Sequence, residues 1–285
     1  MAFSVGIGIV TYNRKAIVSD TIDRVRSLTR VPNAALVVAD DGSSDGTLAM
    51  LRDKQVPVVT GVNMGDPWNK NRALFLLSQM LGCETVILLE DDTQPNREGW
   101  EAEWIGAAER WGHANYAGAW MQEHFLSGSG TISDPICSHL ISAQCAAFSW
   151  KALTYGGYFD PRFKGYGHAH VEHSHRLLRV GFGGIPENQS GVPKDTYYLL
   201  KSDLNVVECE SYSNQQQIDH NLEVAKQIMT LQGYRAPWGD DAQLRQFRSE
   251  TESAISDGPE RFRLTPSDAS GRSARGLFPR LFRRA

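Results

Sequence analysis

Three consecutive acids directly after a short apolar run are the residues best suited to chemistry. Glu90, Asp91 and Asp92 follow residues 85–89, which read as a buried strand. Carboxylates held this close repel one another and raise each other's pKa unless a cation lies among them. Carboxylate oxygens are also the ligands that hard divalent cations prefer. The run therefore predicts a divalent metal site, with a solvated acidic turn as the alternative.

Polar loops follow two other predicted strands, at the point where each strand ends. Residues 11–14 come after a strand at 5–10, and residues 40–46 come after a strand at 34–39. Because the carboxyl ends of parallel strands meet at one edge of a sheet, one ligand site can use all these loops. That coincidence favours the metal site over the acidic turn.

The elements that carry these loops alternate along the first hundred residues. This order predicts an α/β fold, in which helices cover a parallel sheet. Beyond the strands already named, we predict a strand at 56–60 and helices at 16–28, 47–52 and 69–81.

Composition is typical of an ordinary globular protein. The chain has 285 residues, 41% of them hydrophobic, and a net charge of -4, so no global basic field indicates nucleic acid as a partner. Its four cysteines form no CxxC pair and are expected to be buried thiols. No apolar run approaches the roughly 20 residues that span a bilayer, and we expect a cytoplasmic protein.

The carboxyl-terminal tail differs from the rest of the chain in charge. Residues 272–285 contain five arginines and no acid, interleaved with Leu and Phe. We favour a disordered tail, since Pro279 interrupts any helix. The alternative is a surface segment that makes peripheral contact with anionic lipid on the inner face of the membrane.

The loops, taken in order, closely resemble the family 2 nucleotide-sugar glycosyltransferases of the GT-A fold. The resemblance covers roughly residues 4–185. It rests on Val-Thr-Tyr-Asn-Arg at 10–14, Asp-Asp-Gly-Ser-Ser-Asp-Gly-Thr at 40–47, Asn-Met-Gly at 63–65, Asn-Lys-Asn-Arg at 69–72, Glu-Asp-Asp at 90–92, Gly-Gly-Tyr-Phe-Asp at 156–160 and Gly-Tyr-Gly at 165–167.

The resemblance implies a Rossmann-like, mostly parallel sheet flanked by helices, with a smaller acceptor-binding part towards the carboxyl terminus. We expect a single domain over residues 1–247, in which 1–94 bind the nucleotide sugar and 95–247 bind the acceptor. Residues 248–285 are expected to be the disordered basic tail.

For the loop after the first strand, the resemblance implies nucleotide contacts. Thr11 and Tyr12 would line the base, while Asn13 and Arg14 would shape the turn. A nucleotidyltransferase built on a similar sheet would instead need a glycine-rich, basic phosphate loop at this position, which this sequence lacks.

The next two motifs extend the implied nucleotide site. Asp41, with Asp40, would accept a hydrogen bond from uracil, and Lys70 would lie near the diphosphate, where the family usually has arginine. Lysine supplies the charge without the bidentate geometry. Each motif taken alone also fits a simpler interpretation, a capped helix start for residues 41–45 and a solvated side chain for Lys70.

The resemblance assigns the three acids different roles. Asp92 would bind Mn²⁺ or Mg²⁺, Asp91 would lie near the ribose, and Glu90 would occupy the variable first position of the nucleotide-binding motif. A dication stabilises the charge that develops on the departing nucleoside diphosphate.

The histidine-rich window at 168–175 departs from the family. Inverting relatives usually place Glu-Asp after the Gly-aromatic-Gly loop, with the Asp as base, whereas this chain has Ala169 and His170. A neutral imidazole near its ordinary pKa of ~6.5 can accept a proton, so His170 is the candidate base. The alternatives for His170 are a metal or acceptor contact and a structural role; His168 is a second possible metal ligand.

The remaining histidines carry weaker predictions. His173 and His175 are expected to be structural, on a helix in which Glu172 pairs with Arg176 at i, i+4 spacing. His220 lies where some GT-A enzymes place a late metal ligand, but its local sequence is generic.

The sequence thus predicts a metal-dependent, inverting glycosyltransferase of polysaccharide biosynthesis. It would move a sugar from a nucleotide donor, a UDP-sugar, to a hydroxyl of a saccharide or lipid-linked acceptor. A retaining enzyme and a non-catalytic nucleotide-sugar-binding module that has lost its base are the alternatives.

Overall fold

The computed structural model describes residues 3–187, 195–209, 214–231 and 233–264. The strands are β1 Val5–Thr11, β2 Ala34–Asp40, β3 Val58–Thr60, β4 Thr85–Glu90, β5 Thr93–Pro95, β6 His113–Tyr116, β7 Phe125–Ser127, β8 Ile136–Ser138, β9 Cys145–Ser149, β10 Gly184–Ile185, β11 Thr196–Leu200 and β12 Leu204–Val206. The α-helices are α1 Lys15–Leu28, α2 Thr47–Asp53, α3 Asp66–Phe75, α4 Glu101–Trp111, α5 Trp150–Gly156, α6 Ala169–Arg179, α7 Gln215–Ile228 and α8 Asp241–Ile255. A π-helical segment, Leu76–Met80, continues α3, and 3₁₀-helices occupy Ala119–His124 and Pro259–Phe262.

A large mixed sheet forms the centre of the described chain. Its strands lie in the order β3-β2-β1-β4-β9-β6-β11-β8-β7, and β10 adds to β11. The four strands β1 to β4 are mutually parallel, whereas β9 runs antiparallel to both of its neighbours. The predicted mostly parallel sheet flanked by helices is confirmed.

The register of the parallel strands brings the polar loops to one edge. Thr11 at the end of β1 pairs with Asp40 at the end of β2, and Val10 pairs with Glu90 at the end of β4. The three loops that the sequence singled out therefore begin side by side, at the carboxyl edge of the sheet.

Hydrophobic packing on both faces holds this edge in place. Every residue of β1 and β2 is buried, which is why these strands are continuous apolar runs instead of alternating ones. One core cluster includes Leu74 and Leu77 of the α3 region, and the other includes Ile22 and Val25 of α1. The sheet between them is a rigid platform for the loops.

Several boundaries differ from the sequence prediction. The helix predicted over 69–81 begins earlier, at Asp66, because Pro67 is suited to a first helical turn, and it ends as the π-helical segment. α8 runs through residue 248, where the tail was expected to begin, and the described chain continues to Leu264. The arginine-rich segment at 272–285 lies outside the described residues. Within the described ranges, no helix has the length and apolar character needed to cross a bilayer.

Candidate active site

A cavity of about 530 Å³ opens where the strand-end loops meet. Part of its wall comes from the loops after β1, β2 and β4, and part comes from residues 141–144 and the loop before α6. The predicted site residues that line it are Thr11, Tyr12, Arg14, Asp41, Glu90, Asp91, Asp92 and His170. The structure thus brings most of the predicted residues to one place.

Asp91 is held at the base of this cavity by two neighbours. Its Oδ2 accepts a hydrogen bond from Thr11 Oγ1 at 2.7 Å, and its Oδ1 accepts one from Arg14 Nη1 at 2.9 Å. Burial raises the pKa of Asp91 to about 6, although Arg14 acts to lower it. Each oxygen therefore already accepts a hydrogen bond from the protein. A ribose hydroxyl would donate to an oxygen that has this partner as well.

Glu90 faces a different cation. Lys70 Nζ lies 2.5 Å from Glu90 Oε1 and 2.9 Å from Asp66 Oδ2. Burial raises the pKa of Glu90, while Lys70 opposes the rise. With its side chain only 3% exposed, Lys70 lies behind these acids. Arg14, whose guanidinium lines the cavity, is thus better placed than Lys70 to meet a diphosphate.

Of the three consecutive acids, Asp92 lies farthest from its nearest protein cation. Its side chain is 18% exposed, its Oδ1 accepts from Thr93 Oγ1 at 3.1 Å, and Cys209 Sγ lies 3.3 Å from its Oδ2. Arg14 Nη1 is 3.7 Å from the same oxygen. The carboxylate and thiol could hold one face of a divalent cation.

The idea that the three acids require a metal to relieve their repulsion is not supported by this arrangement. Glu90 has Lys70 and Asp91 has Arg14, so protein cations already offset two of the three charges. Among the described residues no group of three or more His, Cys, Asp or Glu side chains could enclose a metal ion. With the described side chains alone, a metal at Asp92 would need further ligands, which a bound substrate could supply.

The two acids after β2 shape the loops around the cavity. Asp40 is buried, and its Oδ2 accepts from the amides of Gly42 and Ser43, both at 3.0 Å. Asp41 accepts from the amides of Met64 and Gly65 at 3.0 and 2.8 Å. Asp40 thus forms the turn beneath the site, and only Asp41 lines the cavity.

Asn13 has a conformational role next to the cavity. Its φ of 51° places it in the left-handed region, which Asn tolerates better than most residues. Its backbone amide donates to Ser43 Oγ, and its side-chain Oδ1 accepts from the backbone amide of Ser44 at 2.7 Å. Asn13 thus joins the loop after β1 to the loop after β2, beside a second, shallower cavity.

His170 stands in the first turn of α6 and lines the cavity. Burial and, to a lesser extent, the positive charge of Lys70 lower the pKa of His170 to about 3. A hydrogen bond with the backbone of Ile141 acts in the opposite direction. The ring is therefore neutral near pH 7 and can accept a proton, although its low pKa makes it a weak base before substrate binds.

His173 and His175, the two later histidines of the window, have structural contacts. His173 is buried, with Nε2 2.8 Å from the carbonyl oxygen of Gly157, and His175 Nδ1 lies 3.1 Å from Asp195 Oδ2. The predicted pair of Glu172 and Arg176 is present, at 2.9 Å and buried. His220 is exposed on α7.

Sequence reasoning missed several residues of the cavity wall. Trp120 and Tyr166 line it although their side chains are 61% and 52% exposed. Gln144, Gln217 and Cys209 also line it. Tyr166 lies in the Gly-Tyr-Gly motif at 165–167 but was given no role, and the other four belong to no motif that could have singled them out.

Comparisons with known proteins agree with this fold. Residues 6–130 match the sequence family described as Glycosyl transferase family 2. This match covers residues in the amino-terminal half of the chain and, together with the architecture, it confirms the resemblance to family 2 glycosyltransferases of the GT-A fold that the loops indicated. A comparison with curated proteins gives no match.

Two solved structures share the fold at low sequence identity. One is the mannosyltransferase PcManGT from Pyrobaculum calidifontis in complex with GDP-Man and Mn²⁺, with a TM-score of 0.56, 13% identity, and coverage of 90% of this chain and 75% of that one. The other is GalNAc-T7 with UDP, GalNAc and Mn²⁺, with a TM-score of 0.54, 14% identity, and coverage of 88% of this chain and 55% of that one.

Proposed function

We propose that the cavity binds a nucleotide sugar, a UDP-sugar, and that the enzyme transfers the sugar with inversion to a hydroxyl of a saccharide or lipid-linked acceptor. The observation that carries the proposal is that Asp41, the pair Asp91 and Asp92, and His170, which come from three separate parts of the chain, line one cavity. The GDP-Man and UDP complexes of the two similar structures support a nucleotide donor.

The donor's nucleotide would lie along the loops after β1, β2 and β4. Tyr12 lines the wall as a flat surface for the base. Among the described residues, Asp41 Oδ2 has one donor, the Gly65 amide, so it can accept another hydrogen bond. Arg14 places a positive charge beside the two aspartates, where the diphosphate would lie.

The residues at Asp92 fit a divalent cation that a diphosphate helps to hold. Asp92 offers a partly exposed carboxylate, and Cys209 Sγ lies close enough to be a second metal ligand. The bound Mn²⁺ of the two similar structures supports Mn²⁺ at this position, with Mg²⁺ as the other candidate. Such a cation supplies positive charge that stabilises the departing nucleoside diphosphate.

His170 is the proposed base for the transfer. The acceptor oxygen forms a bond to the anomeric carbon, the bond from that carbon to the phosphate oxygen breaks, and the nucleoside diphosphate leaves with the bonding electrons. A ring nitrogen of His170 takes the hydroxyl proton. The neutral state of the ring, which burial enforces, supports this role.

The wall opposite the nucleotide loops suits a saccharide acceptor. Trp120 and Tyr166 offer exposed aromatic rings, and Gln144 and Gln217 offer amides that can bind hydroxyl groups. Flat aromatic faces combined with a few polar groups are typical of sites that bind ring-shaped ligands. Involvement in polysaccharide biosynthesis, a cytoplasmic location and membrane contact through the tail stay predictions from sequence.

The experiment that tests the proposal is the release of nucleoside diphosphate from a panel of UDP- and GDP-sugars, with and without Mn²⁺. We expect slow release without acceptor, from a UDP-sugar and stimulated by Mn²⁺. A protein that binds these donors but never releases the diphosphate would be a binding module instead. Transfer products of retained anomeric configuration would contradict the inverting mechanism.

A further inference from the structure

Helix α8, outside the region that matches the family, contacts the nucleotide side of the cavity through Glu250. Its Oε2 accepts from Arg72 Nε at 3.0 Å and from Trp68 Nε1 at 3.1 Å. Its Oε1 accepts from Arg72 Nη2 at 3.2 Å and from Gln246 Nε2 at 3.0 Å. The carboxylate is thus fully bound, with a side chain only 9% exposed.

Arg72 connects Glu250 to a residue of the cavity wall. Its side chain is completely buried, and its Nη1 donates to Asp41 Oδ1 at 2.8 Å. Its Nη2 also donates to the carbonyl oxygen of Val62 at 2.9 Å. One guanidinium therefore joins Glu250 of α8 to Asp41 and to the loop at residues 62–65.

Asp41 in turn fixes that loop. It accepts from the amides of Met64 and Gly65, and both Asp41 and Gly65 line the cavity. Because Arg72 and the Met64 amide occupy Oδ1, the remaining capacity of the carboxylate lies on Oδ2. The orientation of this acceptor towards a bound base thus depends on where Arg72 is held.

Gly61 packs closely against the side chain of Glu250. A Cβ at this position would overlap the Glu250 carboxylate and would lie 2.6 Å from Arg72 Nη2. The backbone of the 61–65 loop therefore packs directly against the ion pair. A change at either Gly61 or Glu250 would disturb the same contact, by volume in one case and by charge in the other.

We propose that Glu250 is a positioning residue for the nucleotide donor, which acts through Arg72 on Asp41 and on the loop at 62–65. The inference rests on the proposed function, because it assigns nucleotide affinity to the cavity. Without Glu250, the buried Arg72 loses a charged partner, and its other contacts must shift to compensate. The donor site thus depends on a residue that lies 178 positions after Arg72 in the chain.

The first test compares Glu250→Gln with Glu260→Gln, a control in which an exposed carboxylate paired with Arg263 is changed in the same way. Binding of UMP, measured by calorimetry, should weaken about tenfold or more in Glu250→Gln, as expected when the hydrogen bond between the base and the charged Asp41 carboxylate is lost. Binding of UMP should be unchanged in the control. The number of binding sites should stay the same. An unchanged affinity, or fewer sites with unchanged affinity, would overturn the inference.

The second test needs no nucleotide. Amide hydrogen exchange of the peptide that contains Met64 and Gly65 should be faster in Glu250→Gln and in Gly61→Ala than in wild type, and unchanged in Glu260→Gln. Equal protection in all four proteins would overturn the positioning role. Failure of wild type to bind any nucleotide, with the exchange difference present, would instead count against the proposed function.

Discussion

Gly65 and Gly165 lie so close that a Cβ added to Gly65 would be 2.5 Å from the amide nitrogen of Gly165. Gly65 precedes α3 on the side of the cavity where we propose that the nucleotide binds, and Gly165 belongs to the loop before α6. Asn221 of α7 holds that second loop by donating to the carbonyl oxygens of Lys164, Tyr166 and Gly167. The cavity thus closes where two glycines from opposite halves of the chain meet.

Replacing Gly65 by alanine should push these loops apart. Gly65 has a φ of +92° and precedes a helical turn that contains a proline. Gly258 is the matched control, because it has a φ of +93° and also precedes such a turn, but an added Cβ would have nothing within 4 Å. Both alanine variants should therefore lose stability from backbone strain, by about 1–3 kcal/mol. Only Gly65→Ala should also raise KM for the donor. Equal KM values in the two variants would show that the contact with Gly165 is not needed.

Asp92→Asn should remove the dependence of transfer on metal. The amide keeps the shape of the side chain but loses the charge that would hold a dication, so we expect kcat/KM to fall about 100-fold or more. Mn²⁺ titrations of the rate and circular dichroism spectra would check the result. Asp203→Asn, at a surface pair with Arg97, is the control and should behave as wild type. An Asp92→Asn enzyme that Mn²⁺ still stimulates fully would contradict the assignment.

His170→Ala should slow transfer about 100-fold or more, the usual effect of removing a general base. The donor KM should change little, because His170 would act on the acceptor hydroxyl. His175→Ala is a suitable control, since His175 interacts with Asp195. Near-wild-type turnover of His170→Ala would exclude it as the base.

The lowered pKa of His170 also affects stability. The folded protein holds this ring neutral down to a pKa of about 3, whereas the unfolded chain binds a proton near ~6.5. Its contribution to stability is therefore present above pH 6.5 and is lost as the pH falls towards 3. Urea unfolding of wild type and His170→Asn between pH 7 and pH 4 should show a steeper loss in wild type, by about 1 kcal/mol per pH unit. Parallel pH curves would contradict this.

The buried pair of Glu172 and Arg176 should be structural. Glu172→Gln leaves a buried guanidinium without its carboxylate, so the free energy of unfolding should fall by about 3–5 kcal/mol. Glu223→Gln breaks an exposed pair with Lys226 and should cost about 0.5 kcal/mol or less. Similar losses in both variants would show that burial does not set the strength of these pairs.

The sequence was most informative where a local pattern determines the structure. The continuous apolar runs of β1, β2 and β4 predicted a sheet buried on both faces, and the loops that follow them predicted a shared site. The i, i+4 spacing was sufficient to predict the pairing of Glu172 with Arg176.

Contacts between distant residues could not be predicted in this way. Cys209 reaches Asp92 across 117 positions, and neither Cys209 nor Glu250 belongs to a motif. α8 was missed because its narrow apolar face, with Phe247, Thr251 and Ala254 buried, gives a weak helical pattern next to a polar tail. The side-chain direction of Lys70 likewise depends on Asp66 and Glu90, which only the folded chain brings together.

The central claim is that the cavity binds a nucleoside diphosphate together with a divalent cation at Asp92. Calorimetric titration of UDP into wild type and Asp92→Asn, each with and without Mn²⁺, tests it most directly. We expect Mn²⁺ to tighten UDP binding about tenfold or more in wild type and to have no effect on Asp92→Asn. No UDP binding by wild type, or the same effect of Mn²⁺ on both proteins, would contradict the account.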